Sequence, residues 1–302
     1  MKKSTLLIAA LAFTATAAFA QDLTSKKGEN YLPESGDWSI GIDASPVLFY
    51  VGNMFNGNTF NNAPTWNFLN GNQTIIGKMY TSETSAYRAI LRLGMTSMSY
   101  TAMIADPTAA APTYPTLPAM KEDKFKAGSR FIGLGGGLEW RRGKTRLQGF
   151  YGVDGMFWLS GSSQKYEYGN ALSTNPAAPV GVGNSTNWAA QGGNNITTDT
   201  YLNPARVTEW KSGSTFGIGV RGFIGAEYFV LPKISIGAEF GWGFGYSMTG
   251  ASFMTTESIG GGPPQTIGTQ EIEGSKSSSL ILDTDRNVFG TGNGSLRLNF
   301  HF

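Results

Sequence analysis

The sequence contains no cysteine and a single histidine. Without cysteine there is no disulfide, no thiolate metal site and no lipid-modified cysteine to tether the chain to a membrane. One histidine, His301, leaves no histidine pair of the kind most transition-metal sites use. Charge is scarce too, with Asp, Glu, Lys and Arg making up 15% of the residues. After the first twenty residues no run of about 18 apolar residues occurs, so no bilayer-spanning helix is encoded. GLGGG at 133–137 lacks the G-x-G-x-x-G spacing of a nucleotide-binding turn. What the chain does have is 41 glycines and 13% aromatic residues.

MKKSTLLIAALAFTATAAFA has the order of a secretory signal: Lys2 and Lys3, an apolar stretch from Leu6, then Ala18-Phe19-Ala20 before Gln21. Cleavage there leaves 21 basic residues (23 minus the two lysines) against 21 acidic ones. That balance argues against a nucleic-acid partner.

Period-two alternation dominates the remainder. DWSIGIDA sets Trp38, Ile40, Ile42 and Ala44 against Ser39, Gly41 and Asp43. In SAYRAILRLGM, Tyr87, Ala89, Leu91, Leu93 and Met95 oppose Arg88 and Arg92. RFIGLGGGLEWR, TRLQGFYGVDG and TFGIGVRGFIGAEY repeat the pattern, with Glu139, Arg141, Arg146, Asp154, Arg221 and Glu227 on the polar side. ISIGAEFGWGFGY is the clearest: Ile234, Ile236, Ala238, Phe240, Trp242, Phe244 and Tyr246 share one face. With TIIGKMY near residue 77, whose outward face is not fixed by the pattern, and the terminal SLRLNFHF, this predicts eight strands.

Their connections alternate. Those at 82–84, 141–144 and 231–233 are tight, whereas 52–73, 105–127, 165–213 and 257–286 are long and rich in Asn, Thr, Gly, Pro and Ser. Long loops at one end and short turns at the other fit a transmembrane β-barrel. So does the polarity: one face is bulky and apolar, the other small or charged, and an eight-stranded interior is only wide enough for side chains. Thirteen residues from Ile234 to Tyr246 at ~3.3 Å each and a ~45° tilt give roughly 30 Å, the thickness of a bilayer core. Aromatics sort into two groups. Trp38, Tyr80, Tyr87, Trp140, Tyr228, Phe300 and Phe302 lie by the tight turns or termini; Tyr50, Tyr100, Phe157, Trp158, Phe216, Tyr246 and Phe289 lie by the long loops. Two such belts are expected at membrane interfaces.

The expected fold class is thus an all-β, eight-stranded antiparallel transmembrane β-barrel with short periplasmic turns and four long extracellular loops. The expected division is a signal at 1–20, a short periplasmic segment at 21–36 and the barrel at 37–302.

On these features the chain resembles the small outer-membrane barrels of the OmpA/OmpX type. GDWSIGIDASPVLFYVGNMFNG and GKMYTSETSAYRAILRLG are similar to outer-membrane β-barrel proteins common in Bacteroidota. The resemblance implies a bacterial outer-membrane location. It also implies that Leu296, Leu298, Phe300 and Phe302 form the C-terminal assembly signal read by the barrel-assembly machinery. Outer-membrane lipids, and other outer-membrane proteins, are the partners it implies.

Enzymes of this architecture place histidine and its partners at the external rim, whereas His301 falls at the turn end, facing inward. The expectation is therefore a protein that is not an enzyme, carries no cofactor or metal, and has a structural or loop-mediated role. The alternatives are an accessory subunit of a larger secretion, uptake or assembly complex, and a narrow channel. The inward charges, Asp43, Arg88, Arg92, Glu139, Arg141, Arg146, Asp154, Arg221, Glu227, Glu239 and Arg297, are expected to pair as a buried plug. Above it Gly133, Gly135, Gly217, Gly219, Gly241, Gly243 and Gly245 are expected to leave a shallow external vestibule.

Overall fold

The computed structural model describes residues 23–44, 74–284 and 295–302. The signal expected at 1–20, the loop expected at 52–73, Tyr50 and Phe289 lie outside the described residues. Among the described residues there are thirteen strands: β1 (Trp38–Asp43), β2 (Ile75–Ser82), β3 (Ser85–Ala105), β4 (Met120–Arg142), β5 (Leu147–Glu167), β6 (Ile196–Thr198), β7 (Pro204–Lys211), β8 (Thr215–Leu231), β9 (Ile234–Thr249), β10 (Phe253–Gly260), β11 (Thr266–Glu273), β12 (Ser277–Thr284) and β13 (Ser295–His301). All belong to one antiparallel sheet. Among the described residues no helix is long and apolar enough to cross a membrane.

Eight of these strands pair in a cycle. β1 pairs β2, β2 pairs β3, β3 pairs β4, and β4 pairs β5. β5 pairs β8, β8 pairs β9, β9 pairs β13, and β13 returns to β1 with Ser39 opposite His301. The three tight turns join β2 to β3, β4 to β5 and β8 to β9. Gly143 holds φ at +126° in the second, a value that side chains resist.

The outward face of the cycle is apolar. Leu93 is 63% exposed, Ile224 65% and Trp242 60%, and Leu134, Leu138, Tyr151, Val220 and Phe240 are exposed beside them. The inward face buries Lys78, Arg88, Glu139, Arg141, Asp154, Glu227 and Glu239. The strand faces follow the alternation, with three corrections. Tyr80 and Trp158, expected in the aromatic belts, are buried. Trp158 is drawn inward because Gly217 on the facing strand leaves room for its ring. Ala44, expected outward, is buried as well.

The other departure is strand count. Stretches expected to be loop contain β6, β7, β11, β12 and part of β10. β11 (TIGTQEIE) is exposed along most of its length, so it carries no apolar periodicity for sequence reading to detect; backbone pairing to β10 holds it. The upper parts of β3, β4 and β5 rise beyond the cycle, and β5 exchanges β8 for β7 at Ser163–Lys165. A six-stranded sheet in the order β11-β10-β7-β5-β4-β3 results. Phe125, Tyr166, Trp188 and Val207 form its core, with Tyr100, Trp210 and Met254 packed around them. Asn195 fixes the covering segment, donating to the Thr186 carbonyl at 2.8 Å and accepting from the Trp188 N–H at 3.0 Å.

Candidate functional site

The closed cycle places the inward charges on adjacent rungs. Across one rung the register runs Lys78, Arg88, Gly137, Asp154, Arg221, Gly243. Glycines alternate with the large side chains for a steric reason. A Cβ at Gly137 would overlap the Asp154 carboxylate, and at Gly225 the Phe150 ring. Asp154 and Phe150 thus sit over space that a glycine leaves on the neighbouring strand.

Arg88 is the hub. Its guanidinium lies 3.0 Å from Glu139, 2.9 Å from Glu239 and 3.3 Å from Asp154, and 3.8 Å over the Phe223 ring. Arg221 bridges Asp154 at 3.2 Å and Glu239 at 2.7 Å. Arg141 links Glu139 at 2.8 Å to Glu227 at 2.6 Å, and its Nε donates to Gln148 at 2.8 Å. Lys78 sits 2.9 Å from Glu139.

The remaining expected members have other neighbours as well, and Arg297 still acts electrostatically on Glu239 of the hub. Arg92 is half-buried with its guanidinium 4.4 Å over Phe131. Arg146 stacks 3.4 Å over Tyr31, in the segment expected to precede the strands. Arg297 is buried and donates to the Thr74 carbonyl at 3.3 Å. Asp43 is opposite Arg297 in register, and its side chain lies outside the described residues. Leu296 and Phe302 are exposed, with Leu298 and Phe300 half-buried between inward-facing neighbours. Phe302 and Trp38 exchange backbone hydrogen bonds of 2.8 and 3.1 Å.

Lys78, Gln148, Ser235, Asn299 and His301 are members that sequence reasoning left out of the network. For Lys78 a signal existed: the tight turn sets Lys78 opposite Arg88, which places both on one face. The expected vestibule is corrected. Trp158 occupies the space beside Gly217 and Gly219, and the Arg221 guanidinium covers Gly241.

His301 faces inward at the turn end. Its Nε2 is 2.9 Å from Ser235 Oγ and 3.6 Å from Glu227. Serine, histidine and an acid side by side invite comparison with a hydrolytic triad, but the arrangement differs in each essential. The acid lies on the same ring nitrogen as the serine, not on Nδ1; Ser235 itself donates to Glu227; and Ser235 is fully buried. Among the described residues no group of three or more His, Asp or Glu side chains is placed to hold a metal ion.

No protein family, curated protein or solved structure matches the chain.

Proposed function

We propose that the chain is an integral outer-membrane β-barrel protein without catalytic activity, whose barrel anchors a folded sheet outside the membrane. The observation that carries this reading is the polarity of the cycle: apolar side chains outside, paired charges inside. In water, leaving Leu93, Met95, Ile218, Val220, Ile224 and Trp242 exposed on one face is the kind of apolar surface that soluble monomers avoid. In lipid the same surface is required, and a closed cycle pairs the backbone groups that an open edge would strand.

Two further features support it. The outward apolar run on β5, Leu147 to Leu159, spans thirteen residues, matching a bilayer core at barrel tilt. Just above it the outward face turns from apolar to charged, with Arg130 opposite Gly161, Lys126 and Lys165 beside Glu167, and Lys211 beside Glu209. Charged side chains suit the height at which a bilayer core gives way to headgroups and water.

Separation of the inner and outer membranes of the native cell tests the proposal. Recovery with the outer membrane, and a folded form migrating differently from the boiled form in detergent gels, are the expected results. Recovery as a soluble protein would overturn it. The channel alternative is disfavoured by Arg141, Tyr80, Phe229, Glu139 and Glu227, which fill the lumen at under 2% exposure. It predicts a planar-bilayer conductance that changes with Glu239→Gln; the plugged reading expects none. Native mass in gently extracted membrane separates a stand-alone barrel from a subunit of a larger assembly.

A further inference from the structure

Two turns of the outer sheet converge on an open pocket of about 500 Å³. One wall is the β6–β7 turn, residues 199–203. The other is the β10–β11 hairpin, with Ser258, Gly260, Gly261, Thr266, Gly268 and Gln270.

The first wall is rigid. Asp199 Oδ1 accepts from the backbone N–H of Tyr201 and of Asn203, both at 2.8 Å. Its Oδ2 accepts from Asn203 Nδ2 at 3.0 Å and Ser258 Oγ at 2.7 Å. Leu202 is held at φ 66°, a left-handed conformation that non-glycine residues seldom adopt. Gln270 ties the walls together, its Oε1 accepting from the Thr200 N–H at 3.2 Å and its hydroxyl at 3.0 Å. This scaffold holds Tyr201 out, 78% exposed, at the rim.

The lining selects against most ligand classes. Among the described residues no Lys, Arg or His lines the pocket, so an anion has no counter-charge. The lining carboxylate, Asp199, has both oxygens filled by donors from its own turn and from Ser258 across the pocket, so a cation has no ready ligand. Apart from Tyr201 the lining is Asp, Asn, Ser, Thr, Gln and Gly, which gives an apolar ligand little to bury against. Hydroxyls, amides and one free aromatic face suit a neutral polyhydroxylated ring. Its C–H face packs on tyrosine while its hydroxyls meet polar groups.

We propose that this pocket binds a neutral carbohydrate, with Tyr201 as the stacking platform and the Gln270 amide as a donor. The pocket lies outside the closed cycle, so its test does not depend on whether the chain spans a membrane. The full chain, purified in a detergent that carries no sugar headgroup, is offered gluco-, manno-, galacto- and xylo-oligosaccharides on an array, followed by titration calorimetry. Binding to at least one series is expected. Tyr201→Ala should weaken it roughly tenfold, the equivalent of one stacking contact. The unfolding temperature should not move, because the ring is exposed. Gln270→Glu keeps the acceptor for Thr200 and removes the amide donor, and should weaken binding similarly without loosening the turn. No binding at millimolar glycan would overturn the proposal. So would binding unchanged in both variants, or binding confined to charged sugars.

Discussion

At the scale of single residues, the hub works by giving each of its charges more than one partner. Glu139 is the sharpest case, fully buried and touching Lys78, Arg88 and Arg141 at once. Glu139→Gln leaves three buried cations short of one counter-charge, and a loss of ~3–5 kcal/mol is expected in urea titrations of the refolded protein. The glycines opposite these side chains matter for volume. Gly217→Ala drives a methyl into the Trp158 ring and should cost ~1–3 kcal/mol, with a shift in tryptophan emission as the ring is displaced. Asp199 offers a titration. Partial burial acts to raise its pKa, but donors from Asn203, Ser258 and Tyr201 outweigh it and hold the carboxyl at about 2. Because this folded value lies below the ordinary carboxylate value near 4, its stabilisation of the turn is fully present above about pH 4 and is lost as pH falls through about 2. Pepsin digestion should therefore cut the Tyr201–Leu202 turn faster at pH 2 than at pH 4, relative to an Asp199→Asn variant. Equal ratios at both pH values would refute this.

At the scale of elements, the strands of the cycle were legible and those of the outer sheet were not. Period-two alternation marks β3, β8 and β9 because one face meets a burial environment and the other does not. β10 and β11 offer no such contrast, and their pairing depends on partners far away in sequence: Ser258 opposite Ala205, Glu257 opposite Arg206. Tyr80 and Lys78 were misassigned or undecided because polarity alone does not tell a filled interior from a wet one. The buried Arg206 was invisible for the same reason. It pairs with Glu257 at 2.6 Å, donates to the Asn170 carbonyl and Ser185 hydroxyl at 2.7 Å, and lies 4.2 Å over Tyr168. Arg206→Met removes these links together. Limited proteolysis should then open residues 170–210 while β3, β8 and β9 keep their hydrogen-exchange protection. Simultaneous loss at both places would mean that the outer sheet and the cycle fold as one unit.

At the scale of the molecule, the decisive quantity is the solvent that the outer surface requires. Ile224 is 65% exposed near the middle of the apolar belt. In water, Ile224→Arg would be neutral for stability and favourable for solubility. Facing lipid at mid-depth it should cost ~2–4 kcal/mol, read as lost folding yield in phospholipid vesicles. The same substitution thus gives opposite outcomes under the two readings.

The contact between Ser39 and His301 joins segments at nearly opposite ends of the chain. Every other seam of the cycle links strands closer in sequence than this one. Loop-closure entropy and the need for a complete neighbour both make it the last to form. Until then β1 and β13 each expose a row of unpaired donors and acceptors, which under the proposed membrane reading lipid would not tolerate. Closure of that seam is then expected to be late and slow, and a chain interrupted before β13 should lack a stable, partly closed form.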